Sequence, residues 1–116
     1  MRSFKDLKIW RKGIEIVKDT YGLTESFPDK ELYGLTSQMR KAAVSLPSNI
    51  AEGFKRYHNK EYKQFLHIAL GSAAELETQF IIAQELDYIN KEELENISEK
   101  LDHLSKMITA LIHKLR

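Results

Sequence analysis

Apolar residues recur every three or four positions along most of this chain, and the spacing is most regular near its end. Leu94, Ile97, Leu101, Leu104, Ile108, Leu111 and Leu115 alternate steps of three and four, the seam of a bundle helix or coiled coil. Asn90 stands at the cap position of that helix, and Glu93, three residues on, completes a capping box. Lys114 and Arg116 fall where a helix dipole favours cations. Tyr62, Phe65, Ala69, Ala73, Leu76, Phe80 and Ala83 mark a second helix, starting after a cap at Asn59. Its small residues Gly71, Ala73 and Ala74 leave room for a close neighbour.

Upstream, Leu32, Leu35, Met39, Ala42, Leu46, Asn49 and Gly53 share one stripe. This segment is expected to start near Pro28, with Asp29 and Glu31 in its first turn. Pro47 lies inside the stripe. A proline there lacks the N–H for one helical bond and pushes against the carbonyl of Ala43, so a kink near Pro47 is expected, with a full break into two shorter helices as the alternative. The first segment places Leu7, Trp10, Ile14, Val17 and Tyr21 on one face, and Gly22 to Phe27 reads as a turn. No stretch alternates with a period of two between turn residues, so strands are not expected.

Four amphipathic segments joined by short turns imply an all-α, up-down-up-down four-helix bundle spanning residues 1–116 as one domain. Ile9, Ile16, Val44, Leu70, Ile81 and Ile82 lie off the main stripes or widen them. They imply either a broad core face or a second buried face for self-association, and periodicity alone favours the first.

Composition sets outer limits. The 116 residues are 42% hydrophobic and 30% charged, the balance of a folded globular chain. The absence of cysteine excludes disulfides, zinc-thiolate sites and a thiol nucleophile. The opening Met1-Arg2-Ser3-Phe4-Lys5-Asp6 has no apolar stretch of a secretory signal, and no run of about 18 apolar residues occurs, so no membrane is implied and a cytoplasmic location is expected.

Charge changes the picture through its placement. The formal net charge is only +1, which argues against strong generic attraction to nucleic acid by the whole molecule. In an up-down bundle, however, one end gathers Arg2, Lys5, Lys8, Arg11, Lys12, Lys55, Arg56, Lys60, Lys63, Lys114 and Arg116, against Asp6, Glu52 and Glu61. The opposite end collects mainly acidic residues, among them Asp19, Glu25, Asp29, Glu31, Glu85, Asp87, Glu92, Glu93 and Glu95. Tyr57, His58 and Trp10 share the basic end, and cations interleaved with aromatics suit phosphate contact and base stacking. A solvated mixed-charge surface is the plainer reading of such runs, and Trp10 is better explained as core.

Candidate chemistry is sparse. The chain has no glycine-rich phosphate loop, no dinucleotide fingerprint and no Glu-x-x-His motif of a bundle metal site. Glu99 and His103 sit one turn apart as a lone pair, and neither metal nor cofactor is implied. Polar residues do fall where core is expected: Gln38, Arg40, Ser45, Ser48, Asn49 and Glu52 on the second helix, and Ser72, Glu75, Glu77 and Thr78 on the third. A structural network of Arg40, Asn49, Glu52 and Glu75 that fixes helix register is expected, since buried charge needs a partner. An acid–base pair of Glu52 and Glu75 is the catalytic alternative, with no nucleophile or oxyanion cradle beside it.

The same stretches carry a family resemblance. FKDLKIW at residues 4–10, FPDKELYGLTSQ at 27–38, RKAAVSLPSNIAEG at 40–53 and IALGSAAELETQ at 68–79 together resemble the bacterial four-helix bundle proteins encoded in intervening sequences of 23S ribosomal RNA genes. That family is in turn similar to the accessory variability determinant protein of diversity-generating retroelements. The resemblance implies a ring-like homopentamer of four-helix bundles without catalytic residues. It further implies contact with RNA or DNA, and a reverse transcriptase or ribonucleoprotein as partner. The candidate positions for nucleic acid are Arg40 and Lys41, which match a frequent arginine pair of the family, and Lys55, Arg56, Lys60 and Lys63 of the basic end. The accessory proteins are strongly basic whereas this chain is nearly neutral, and Lys41 stands where the second of a frequent arginine pair would be, keeping the charge without the planar fork. The expected function is therefore a non-enzymatic, homo-oligomeric nucleic-acid-associated protein, with a protein-interaction scaffold as the alternative.

Overall fold

The computed structural model describes residues 3–116, and among them there are four α-helices and no strand. We number them α1 (Lys8–Thr24), α2 (Leu35–Phe54), α3 (Asn59–Glu85) and α4 (Lys91–Lys114). Each helix packs against two others, α2 on α1 and α3, α4 on α1 and α3, which makes an antiparallel bundle about 44 Å long. Arg2 of the basic end lies outside the described residues.

The α4 start forms as its sequence implies. Asn90 Oδ1 accepts the Glu93 N–H at 2.8 Å and Glu93 Oε1 accepts the Asn90 N–H at 3.0 Å, so two donors that the helix leaves free are satisfied reciprocally. Ile97, Leu101, Leu104 and Ile108 of the expected seam are buried, while Leu94, Leu111 and Leu115 close its ends half-buried. Helix α3 begins one residue earlier than the cap at Asn59 implies: His58 is the flanking residue and its side chain makes no capping bond. At its other end Asp87 adopts φ 63°, and the N–H of Tyr88 reaches back to the Ala83 carbonyl at 2.8 Å. That is the left-handed helix stop usually assigned to glycine, taken here by one of the few residue types that tolerate it.

Helix α2 differs from expectation at its start. Pro28 precedes a short 3₁₀ turn, Asp29–Glu31, and the α-helix proper begins only at Leu35. The intervening Gly34 has φ −118° and ψ −113°, which separates the two. The Glu31 carboxylate then serves as the helix cap, accepting the Leu35 N–H at 3.2 Å and the Tyr88 hydroxyl at 2.8 Å. Further along, the helix runs through Pro47 without interruption, so the full break does not occur. Pro47 is buried against Gly13 of α1, where a Cβ would lie 3.3 Å from its ring atoms. The missing side chain lets α1 approach the ring closely.

Helix α1 also buries a face other than the expected one. The buried line is Ile9, Gly13, Ile16, Thr20 and Thr24, while Trp10, Ile14 and Val17 are half-buried and Tyr21 is exposed. Two threonines sit in the core because their hydroxyls bond back along the helix. Thr20 Oγ1 donates to the Ile16 carbonyl at 2.8 Å and Thr24 Oγ1 to the Thr20 carbonyl at 2.7 Å. Of the surplus apolar residues, Ile9, Ile16 and Leu70 thus widen the core, but Val44, Ile81 and Ile82 remain exposed.

Candidate nucleic-acid interface

Helix α2 ends where α3 begins, and the connection with the first turns of α3 carries four cations, Lys55, Arg56, Lys60 and Lys63. Lys55 closes α2 with its N–H on the Ala51 carbonyl, and the Arg56 N–H bonds the Gly53 carbonyl at 3.0 Å. The chain re-enters a helix immediately, because the N–H groups of Glu61 and Tyr62 both reach the His58 carbonyl at 3.1 Å. The turn is therefore held at both edges, with only Tyr57 and His58 between. Gly53 permits this tight return: a Cβ there would lie 2.8 Å from Phe65 Cβ and 3.2 Å from the Tyr62 carbonyl oxygen.

Side chains on this turn are displayed in different ways. The Arg56 guanidinium lies over the Phe65 ring at 4.6 Å and reaches Glu52 at 3.9 Å, so it is oriented but still partly open to water. Lys55 and Lys60 are exposed and Lys63 is half-buried, and among the described residues none of the three forms a salt bridge. Phe4 borders a shallow hollow with Ser48, Ala51 and Lys55 of α2, and its ring meets Trp10 edge-on at 5.4 Å. Trp10 thus belongs to the packing of this end. Tyr57 is 93% exposed.

Arg40 and Lys41 do not join this cluster. Fifteen residues of helix separate Arg40 from Lys55, about 22 Å along the axis. Arg40 turns toward α1, donating from Nε to Thr24 Oγ1 at 3.0 Å with its guanidinium 4.6 Å above the Tyr21 ring. It locks α1 to α2 and pairs with neither Glu75 nor Glu77. Lys41 lines a polar hollow between α2 and α3 with Gln38, Ser45, Ser72 and Glu75.

The expected single network of Arg40, Asn49, Glu52 and Glu75 is replaced by separate contacts. Ser45 and Ser72 hydroxyls meet at 2.8 Å across the α2–α3 seam, and Asn49 Nδ2 donates to the carbonyl and hydroxyl of Ser45, both at 2.8 Å. Glu75 accepts from Gln79 Nε2 at 3.3 Å on its own helix. Among the described residues Glu52 pairs with exposed Arg56 alone. The Ser45–Ser72 contact sets the antiparallel register, and it puts Glu52 and Glu75 about 15 Å apart along the seam. The two carboxylates are not brought together as an acid–base pair. Among the described residues no group of three or more His, Asp or Glu gathers in metal-binding geometry, and no helix is long and apolar enough to cross a membrane.

The far end is tied by other means. Tyr88 donates to Glu31 and its ring lies 5.2 Å from Phe27, joining the two turns there. That hydrogen bond holds the Glu31 carboxyl below the usual glutamate range and raises the Tyr88 phenol. Midway, Lys100 of α4 reaches Asp19 at 2.7 Å and Glu15 at 2.9 Å on α1. These bonds raise the Lys100 ammonium and lower Glu15.

Fold and site together define a small antiparallel four-helix bundle with a cationic turn at one end. Residues 5–110 match the family described as 23S rRNA-intervening sequence protein, and the chain belongs to that family. Among solved structures it is similar to a protein of unknown function from the S23 ribosomal protein family of Bacteroides thetaiotaomicron. The two share 21% identity and a TM-score of 0.83 over 90% of this chain and 97% of the other, a likeness of fold. No curated protein matches the chain.

Proposed function

We propose that this protein is a non-enzymatic, homo-oligomeric bundle, pentameric as the family resemblance implies, that acts in the cytoplasm and binds RNA through its basic end. The observation that carries the reading is the α2–α3 turn, where Lys55, Arg56, Lys60 and Lys63 converge within three helical turns and only Arg56 is matched by a carboxylate among the described residues. Cations in that density attract phosphates, and a fixed turn holds them without the ordering penalty of a mobile loop. Arg40 drops out of the interface, being occupied by Thr24 and Tyr21.

Self-association is supported by the apolar residues that the single bundle leaves in water. Ile68, Ile82 and Leu86 share one stripe of α3, with Val44 exposed on α2. The same residues favour a second reading, a protein-interaction scaffold whose partner is another protein, a reverse transcriptase or ribonucleoprotein component included.

The test is binding of a labelled, structured ribosomal RNA fragment across a salt titration, for the wild type and for the double variant Lys55→Glu, Arg56→Glu. Binding should weaken steeply with salt, and the variant should lose affinity and a part of the salt slope while its helical content is retained. Equal binding by variant and wild type would remove the basic turn from the interface. No binding at low salt would leave the scaffold reading.

A further inference from the structure

We propose that Tyr57 makes the basic end a reader of unpaired RNA: its ring is a stacking platform for one flipped or single-stranded base, set among cations that hold the flanking phosphates. This rests on the RNA-binding reading above and narrows it to a class of RNA.

The ring contributes almost nothing to the bundle. At 93% exposure it buries no useful area, whereas every other aromatic near this end is engaged: Phe4 with Trp10, Phe54 with Tyr62, Phe65 beneath Arg56. Yet its position is defined. The backbone on either side is hydrogen-bonded into α2 and α3, and the ring stands edge-to-face on His58, centroids 4.9 Å apart at 84°. An aromatic ring held in place by its backbone and 93% exposed to water offers base stacking without a rearrangement of the protein.

Placement of charge fits the same ligand. Lys55 and Arg56 precede the ring directly, and Lys60 and Lys63 follow on the first two turns of α3. A base stacked on Tyr57 carries its phosphates out to both sides of the turn, within reach of side chains as long as lysine. Double-stranded RNA presents no base face to a protruding ring, because its bases are stacked on one another and its major groove is too narrow for side chains. A turn built only for duplex phosphates would need the cations and not the tyrosine.

The experiment compares a single-stranded RNA of about 20 nucleotides with the same sequence as a blunt duplex, at one salt concentration. It uses full-length wild type, Tyr57→Ala, Tyr57→Phe and the Lys55→Glu, Arg56→Glu double variant. The wild type should prefer the single strand. Tyr57→Ala should lose roughly ten- to hundredfold in affinity for it, the worth of one stacked base, with little change on duplex, and Tyr57→Phe should retain binding. The double variant should weaken on both. If the double variant weakens on both while Tyr57→Ala changes neither, stacking is overturned and the basic-end reading stands. If Tyr57→Ala weakens single strand and duplex alike, the preference for unpaired RNA is overturned. If neither variant differs from wild type, or wild type binds neither RNA, both readings fall.

Discussion

Single residues decide how closely these helices meet, and glycine is the test of it. Gly53 faces Tyr62 and Phe65 so tightly that an added methyl would have to displace both a side-chain Cβ and a backbone oxygen. Gly22, exposed on α1, has open space where its Cβ would be. Both are helical, so both gain up to about 1 kcal/mol of helix propensity on replacement by alanine. Gly53→Ala should nonetheless destabilise by about 1–3 kcal/mol, because overpacking exceeds that gain, whereas Gly22→Ala should stabilise by up to about 1 kcal/mol. Chemical denaturation of the two variants checks the opposite signs. Neither role is written in the sequence: the stripe that includes Gly53 marks its face, but only the sharp return into α3 shows what the face touches. The same holds for Gly13, which meets Pro47 on the buried face of α1 that holds two threonines and leaves Tyr21 outside. A periodicity count ranks Thr20 and Thr24 as polar and misses them, since their hydroxyls are satisfied by the carbonyls one turn back.

Helix ends were legible in proportion to how local their chemistry is. The capping box at α4 uses residues three apart, and it forms. The start of α2 depends on Glu31 and on Tyr88, 57 residues later, and the local signal at Pro28 leads only to a 3₁₀ turn. That long-range contact predicts a pH signature. The Glu31 carboxyl is lowered in the folded state by the Tyr88 hydroxyl and the Leu35 N–H, so its contribution is present above the ordinary glutamate value, about 4.3, and lost as pH falls through the folded value. Tyr88 is raised by the same bond, so its part is present below the ordinary tyrosine value, about 10, and lost only in stronger base. The melting temperature of Glu31→Gln should therefore lie below that of wild type between these limits, and the two should converge as the pH is taken below about 4. A gap that persists unchanged at low pH would mean that the charge of Glu31 has no part in the cap.

At the scale of the molecule, connectivity makes a nearly neutral chain polar, and this much follows from helix order alone: antiparallel packing must bring the α2–α3 turn to the end where α1 begins. Helix order does not say which cations are free. Arg40 is of the right type in the right stretch, and its face of α2 commits it to α1. Nor does it divide the surplus apolar residues, because whether Ile9 or Ile82 is covered depends on how far each helix rotates about its axis. Ile68 and Ile82, 51% and 42% exposed, lie on the same stripe of α3, two heptads apart. If that stripe is a contact between copies, the chain runs in solution well above its 13.5 kDa, at about five times that mass for a pentamer. Ile68→Glu with Ile82→Glu buries two unpaired charges at every such contact and should return the protein to single chains without loss of helix, read by light scattering and circular dichroism. A wild type of single-chain mass would refute the assembly. Cyclic symmetry relates all copies by rotation about one axis, so bundles aligned with that axis present their basic ends on one side. RNA affinity should then fall further in the single-chain variant than in proportion to the number of copies, since binding at one end raises the effective concentration at the next. Unchanged affinity per chain would mean that each basic end acts alone, whatever the size of the ring.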